Sequence, residues 1–281
     1  MLAEKCRVEC SAMQAPPLKR PTSDQDHKGT VFLWQDHWQV LGQLMPNRSH
    51  RHISASLLVG LDRPFRLAVD GEWRETRAAI VAPDVPQALE PGEARIWIAQ
   101  LDPDSVYWRS LKYVTAGMAS TDLSLTGVDL PDPEETDCEA MAGALARVAS
   151  QSGHAPVALD DRIAAICGKL RAELPDRLEL NSLAQSVGLS SSRLTHLFRQ
   201  ETGVPLRRFL LHLKINRALA FWEPGISVSR LATEAGFYDQ PHLVRTARDM
   251  FDALPSAYVA AGWFNVCRCG LDDQALSDFS R

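Results

Sequence analysis

Two stretches of the chain bring together side chains suited to hydrogen bonding with base edges and phosphates. The first holds Ser192, Arg193, Thr195, His196 and Arg199, and the second holds Gln240, His242, Arg245 and Arg248. In the first, Leu194, Leu197 and Phe198 recur at i, i+3 and i+4, so on a helix they face inward and leave the polar set facing outward. Hydroxyls, an imidazole and guanidinium groups on one helical face are what a helix lying in a major groove needs, with Arg reaching guanine or phosphate. In the second stretch Leu243 faces inward and Val244 lies among the outward residues. There Gln240 suits adenine, and Arg245 suits guanine or phosphate. Arg207, Arg208, Lys214 and Arg217 stand between the two stretches as candidates for phosphate contacts.

The elements that would position these residues are duplicated. Leu183-Ala184, three residues, then Gly188-Leu189 is followed 48 residues later by Leu231-Ala232, three residues, then Gly236-Phe237. Asn181 reads as the N-cap of a short helix over 182–187, with Leu183, Ala184 and Val187 as its apolar face. Gly188 turns the chain in the left-handed conformation, Leu189 plugs the gap, and Ser190 or Ser191 caps the next helix. In the second copy Ser227 caps, Gly236 turns and Phe237 plugs. Asp239 then caps a helix with Pro241 in its first turn, where a missing N–H costs little. Val204-Pro205 opens a helix that runs to about Trp222, before Pro224-Gly225 stops it. Its roughly 17 residues span about 25 Å, close to one DNA turn once the flanking turns are added. A plain helical bundle with glycine in its turns is the competing reading. Two copies on either side of a long helix favour a pair of helix-turn-helix motifs and double-stranded DNA as the partner.

The chain has 281 residues, 45% hydrophobic and 23% charged, which suits two domains with real cores. No apolar run is long enough to span a membrane, and the N-terminus lacks the pattern of a signal peptide. Six cysteines fit a reducing cytoplasm. Cys138 and Cys167 read as packing residues, and Cys6, Cys10, Cys267 and Cys269 as scattered thiols of the tails rather than a metal site. The net charge of −5 is unevenly spread. Residues 160–262 hold 13 basic and 11 acidic side chains, while residues 1–159 hold 15 and 21. The candidate DNA-binding half is only mildly basic, so charge adds little to the case.

Residues 1–29 lack periodicity and read as a flexible arm. Over 30–125 the pattern is that of strands. Phe65, Leu67 and Val69 alternate with less apolar neighbours, Asp70-Gly71 makes a two-residue turn, and Trp73 begins a return strand. Turn signals recur at intervals suited to a β-sandwich or small barrel. Within 126–156, Met141, Leu145 and Val148 mark an amphipathic helix, followed by a linker near 151–156. The helix either packs on its own domain or mediates dimerisation, and the segment is read as a dimerisation helix and linker. Residues 157–262 are all helical, and 263–281 form a C-terminal tail.

Residues 160–259 resemble the AraC/XylS family of bacterial transcription regulators. The resemblance rests on Leu183-Ala184 with Gly188-Leu189-Ser190, on 197–205, on Ala232 with 236–240, and on Pro255-Ser256-Ala257-Tyr258. It implies two helix-turn-helix motifs joined by a long helix, and control of transcription from a promoter. Three positions depart from the family pattern. Ala247 stands where a Phe is usual, Asp252 and Leu254 replace the usual Gly and Thr, and Pro241 sits where a small polar residue is common. These departures put the grip of the second motif in doubt.

Members of this length often carry a cupin-like sensing domain, and His50-Arg51-His52 with 57–60 and 82–87 resembles the two cupin motifs. Ser56 or Leu57 occupies the place of the metal-binding Glu, and Gln87 that of the last His. The reading is therefore no metal and no cofactor, with a small-molecule pocket inside the barrel walled by His50, His52 or Trp97. The expected fold is two-domain α+β, a cupin-like barrel or sandwich followed by an all-α DNA-binding domain. The expected protein is a cytoplasmic regulator and not an enzyme. It binds promoter DNA and a small effector, with RNA polymerase as a possible contact and a homodimer as its assembly. The alternative is a metal-dependent cupin enzyme fused to a DNA-binding module.

Overall fold

The computed structural model describes residues 29–132, 136–223, 225–252 and 264–270. The first part of the chain is strand-rich: β1 (Gly29–Leu33), β2 (His37–Gln43), β3 (His50–Arg51), β4 (Ala55–Gly60), β5 (Phe65–Val69), β6 (Glu72–Thr76), β7 (Ala78–Val81), β8 (Pro86–Glu90) and β9 (Arg95–Leu101), then α1 (Val106–Leu111), β10 (Ser120–Asp122) and α2 (Cys138–Gln151). The second part is helical: α3 (Asp161–Glu173), α4 (Leu180–Gln185), α5 (Ser191–Thr202), α6 (Leu206–Ala220), α7 (Val228–Glu234) and α8 (Gln240–Phe251). A last strand, β11 (Phe264–Arg268), follows. The architecture is the expected two-domain α+β.

The strands form a seven-stranded sheet in the order β10-β7-β4-β9-β2-β1-β11 and a four-stranded sheet in the order β3-β8-β5-β6. Alternation along β9 shows how they pack, because successive side chains leave opposite faces of a sheet. Ile96 and Ile98 join Leu67, Leu89 and Phe65 in the core between the two sheets. Trp97, Ala99 and Leu101 join the core on the other face of the large sheet, under α1 and α2. The β5–β6 hairpin turns at Asp70 and Gly71, with φ of 51° and 88°, the positive values that the Asp-Gly pair was read to supply.

Met141 and Leu145 are wholly buried and Val148 nearly so, all against the outer face of the large sheet. The amphipathic helix of the sequence is there, but its apolar stripe is used inside the domain. The reading of 126–156 as a dimerisation helix is corrected accordingly. The C-terminal tail is corrected too. Residues 264–268 pair in parallel with β1, Gly29 opposite Phe264 through Leu33 opposite Arg268. Cys269 then forms a disulfide with Cys138, Cα atoms 5.6 Å apart. Cys138 is therefore not a simple packing residue, nor Cys269 a loose tail thiol. Sequence pattern could not show either point, because both depend on contacts made 131 residues apart. The proposed arm lies outside the described residues except for Gly29, which already belongs to β1, and the Pro255–Tyr258 stretch also lies outside them.

The helical core runs from Ile163, Ile166 and Leu170 through Leu194, Phe198 and Phe209 to Leu231, Leu243 and Met250. Ile53 of the first part packs into it, so the two parts share an apolar contact. A buried polar cluster also joins them. Arg171 bonds Asp102 at 2.7 Å, Asp104 at 2.5 Å and the Gln35 carbonyl at 2.6 Å. Asp102 also receives His212 at 2.6 Å.

Candidate nucleic-acid interface

Both helix-turn-helix copies close in the same way. Gly188 and Gly236 take φ of 67° and 73°. The next residue then returns its N–H to the carbonyl five positions back, Leu189 to Ala184 and Phe237 to Ala232, each at 2.9 Å. Leu183 and Ala184 in one copy, and Leu231 and Ala232 in the other, are the buried residues of the first helix. Ser190 caps α5 by accepting from the Arg193 N–H, Ser227 caps α7 through Arg230, and Asp239 caps α8 by accepting from His242 at 2.7 Å. The Asn181 cap is corrected. Helix α4 starts two residues earlier, with Glu179 at its N-cap and no side-chain bond there. Asn181 instead accepts from the Ser191 hydroxyl, which ties α4 to the start of α5.

On α5, Leu194, Leu197 and Phe198 are buried, while Ser192, Arg193, Thr195, His196 and Arg199 are all exposed. The Thr195 hydroxyl donates back to the Ser192 carbonyl at 2.9 Å, so what it offers outward is mainly an acceptor. Ser192, Thr195, His196 and Arg199 line one cleft with Arg207 from the first turn of α6. The structure thus brings five of the expected DNA-binding residues together on one surface.

On α8, Gln240, Arg245 and Arg248 are exposed, and Leu243, Thr246 and Ala247 are buried. His242 is half-buried, its ring edge-on to Phe237 with centroids 5.2 Å apart. The far end of this helix is fastened to the strand-rich part. Arg48 meets the Asp252 carboxylate at 2.8 Å, and the Phe251 ring lies 4.9 Å from His52 and 5.8 Å from Trp38. Asp252 has φ of 52°, the left-handed value that explains a glycine preference at a helix end.

Three of the candidate phosphate contacts have other roles here. Arg208 is paired with Asp84 of the strand-rich part and with Asp249 of α8, the latter at 3.2 Å, so its guanidinium bridges the two parts. Lys214 is buried, and its ammonium donates to the Gly236 carbonyl inside the second turn. Arg217 is partly buried over the Phe221 ring, at 5.4 Å. Of the four, Arg207 is the exposed one.

The cavity that His50 and His52 line does not lie inside the barrel, where the sequence reading expected a pocket. Trp97 is wholly buried on the helix-covered face of the sheet, donates to Gln39 at 2.8 Å, and does not line the cavity that takes in His50 and His52. His50 and His52 do line a cavity, of about 230 Å³, but it lies between the two parts of the molecule. Val31, Trp38, Val40 and Ile98 form one wall, and Ile215, Leu219, Leu243, Ala247 and Phe251 the other. Ala247, where a larger side chain was expected, thus opens the space behind α8. Sequence reading did not anticipate Trp38, Gln100 or Phe251 here, because a cavity between domains has no local signature.

The imidazole pair in that wall has a definite proton arrangement. The Arg48 carbonyl can only accept, so His50 donates from Nδ1 at 2.8 Å. A neutral His50 then accepts at Nε2 from His52 Nε2, also at 2.8 Å. This leaves His52 Nδ1 as a buried acceptor, and it has no partner among the described residues. The Trp38 Nε1–H, a donor, is in the same position. Burial lowers the His50 pKa, and burial together with His50 and His212 puts that of His52 well below the ordinary value. Ser56 and Gln87, at the places of the cupin Glu and His, bond each other at 2.7 Å. No group of three His, Cys, Asp or Glu suited to a metal occurs among the described residues.

Residues 183–261 match a family model described as a helix-turn-helix domain. The arabinose operon regulatory proteins of Salmonella typhimurium and Escherichia coli are each 31% identical to the chain, over 115 and 113 residues. These alignments cover 40% of this chain and 40% and 38% of the relatives, so the chain spans well under half the length of the curated relatives it matches. The fold of ToxT from Vibrio cholerae is similar through both parts, with a TM-score of 0.52 at 10% identity over 80% of this chain and 98% of that one. Together these findings make residues 183–261 of the chain a helix-turn-helix domain, similar in sequence to part of the arabinose operon regulatory proteins.

Proposed function

We propose that the protein is a sequence-specific DNA-binding transcriptional regulator that responds to a small molecule. The observation that carries this is α5. Its Ser192, Arg193, Thr195, His196 and Arg199 stand exposed on a helix whose opposite face is buried, behind a glycine turn that α7 and α8 repeat. Gln240, Arg245 and Arg248 form the second reading surface, with His242 at its edge. Arg207 is the phosphate contact nearest the first. The relatives' names, regulators of operons, support the same reading.

The effector site we assign is the cavity between the two parts. Its walls are mostly apolar, and the two buried atoms left without partners call for one acceptor, for Trp38 Nε1–H, and one donor, for His52 Nδ1. A mainly apolar molecule ending in a hydroxyl, amide or protonated carboxyl group meets both needs. One ToxT structure is described as bound to an unsaturated fatty acid, which is compatible with a ligand of that kind. Occupancy would bias the position of α8, which forms the opposite wall.

A non-enzymatic role fits the donors around His50, where Ser56 and Gln87 stand in place of a carboxylate and an imidazole. The proposal places the protein in the cytoplasm, with RNA polymerase and a second copy as further partners. A dimer would need a surface other than Met141, Leu145 and Val148.

The test is footprinting with genomic fragments. His196→Ala with Arg199→Ala should lose site-specific protection while weak general binding persists. Protection unchanged by both substitutions would remove α5 from the interface.

A further inference from the structure

The disulfide and the last strand have no place in the reading above, yet together they tie the molecule shut. Strand β11 comes from beyond the helical domain and lies at the edge of the large sheet, with β1 as its one strand neighbour among the described residues. A five-residue edge strand with one neighbour is a weak attachment. Three contacts reinforce it. Arg268 donates to the Ala220 and Trp222 carbonyls, at 2.7 and 2.8 Å, at the end of α6. The Cys269 N–H bonds the Leu33 carbonyl at 2.7 Å. The Cys269 sulfur is joined to Cys138 in the first turn of α2. The covalent loop so closed, 131 residues apart at its ends, contains every helix of the DNA-binding domain. Val266, on the opposite face of the same strand, lines the interdomain cavity.

The geometry points to Cys138 and Cys269 as a reversible thiol–disulfide site whose state sets whether the helical domain is tethered to the sheet at one end or at both. Its co-substrates are small thiols and disulfides of the glutathione class. In closing, the Cys269 thiolate attacks one sulfur of a small disulfide, and a small thiolate leaves. The Cys138 thiolate then attacks the Cys269 sulfur of the mixed disulfide and expels the second small thiolate. The two protons released by the protein thiols go to the two small thiolates, so two protein thiols are oxidised and one small disulfide is reduced. Both cysteines are buried, at 7% and 1% exposure, so attack in either direction has to wait for β11 to lift from β1. An edge strand with one neighbour allows that opening. With the bridge open, β11 loses its covalent anchor and keeps its backbone pairing, the Arg268 bonds and the packing of Val266 and Cys267. The helical domain is then held covalently only through the segment between α2 and α3, and the Val266 wall of the cavity loses its anchor.

The test uses the full chain equilibrated with oxidised and reduced glutathione in varying ratio, and does not depend on DNA binding. Alkylation and non-reducing peptide mapping should show a Cys138–Cys269 linkage that forms and opens with the ratio. Hydrogen exchange of the 265–269 amides should accelerate about tenfold or more on reduction, while strands inside the large sheet stay protected. Cys269→Ser, or Cys138→Ser if the first folds poorly, should exchange at the reduced rate in both conditions. Full alkylation of both cysteines at every ratio overturns the site. Equal exchange of β11 in the linked and open forms overturns the tether.

Discussion

His212 of α6 places Nε2 2.6 Å from Oδ1 of Asp102, across the boundary between the strand-rich and helical parts, and both side chains are closed to solvent. The other oxygen of Asp102 takes Arg171 of α3 at 2.7 Å, and Asn216 approaches the first at 3.3 Å. One buried carboxylate thus engages two helices of the helical part, α3 and α6.

Removing that charge should loosen the boundary. Burial alone would raise the Asp102 carboxyl, but His212 and Arg171 outweigh it and hold the group well below the usual carboxylate range. Asp102→Asn leaves Arg171 with Asp104 as its one carboxylate, beside the Gln35 carbonyl, and should cost about 3 kcal/mol in urea denaturation at neutral pH. The folded group binds its proton less readily than the unfolded one. Its stabilisation is therefore complete above the unfolded value of about 4 and is lost as pH falls below it. The two proteins should converge in acid. A gap that stays constant down to about pH 3 would mean that the charge is not its source.

Arg207 and Arg208 are adjacent but should behave differently. Arg207 is exposed beside Arg199 and His196, so Arg207→Ala should weaken binding to all DNA sequences alike and reduce the salt slope by about 1. Arg208 spans Asp84 and Asp249, and Arg208→Ala should leave the slope unchanged while lowering stability by about 1 kcal/mol. Titrations at several salt concentrations check both. Equal loss of slope in the two variants would mean that Arg208 leaves its carboxylates to meet DNA.

What the sequence made legible was local. The glycine turns at 188 and 236, the caps Ser190, Ser227 and Asp239, the buried–exposed alternation on α5 and the Asp70-Gly71 hairpin all follow from residues within a few positions of one another. Apart from the Asn181 cap, misplaced by two positions, the readings that needed correction concern partners distant in the chain. Amphipathic periodicity located α2 but could not say whether a second copy or its own sheet covers it. A basic residue on a helix reads as a phosphate contact until Asp84, 124 positions earlier, is found against it. Trp97 went to the wrong face because alternation gives two faces and does not say which one meets a cavity. The Asp102–His212–Arg171 cluster gave no signal, since none of its members is near another in sequence.

The His50–His52 pair predicts a second acid effect, in a milder range. Both groups have folded values below the ordinary one, through burial first, with Asp252 acting in the opposite sense on His50 and His212 reinforcing the shift on His52. Their neutral, hydrogen-bonded form is fully favourable above the unfolded value of about 6.5. Stability is lost as pH falls below it, because the unfolded chain then binds protons that the folded one refuses. His52→Gln keeps a donor toward His50 and removes one titrating ring. Thermal denaturation between about pH 7 and 5 should show a shallower decline for the variant. An identical decline would assign the acid limb to other groups.

Ala247 should decide whether the cavity is an effector site. It lies on the α8 wall with Leu243 and Phe251, opposite Trp38 and Ile98. Ala247→Leu projects a branched side chain into the space. The added burial contributes up to about 2 kcal/mol, offset by strain of similar size wherever the walls do not yield, so net stability should stay within about 1 kcal/mol of the original. Ligand capacity should not survive. A series of medium-chain alcohols or acids that raises the melting temperature of the unaltered protein, by binding only its folded form, should raise that of the variant little or not at all. DNA binding in the absence of added ligand should remain, since Ala247 faces away from Gln240 and Arg245. If the variant keeps the full ligand-induced shift, the ligands bind elsewhere, and the cavity between the domains is a packing defect at Ala247 rather than a sensor.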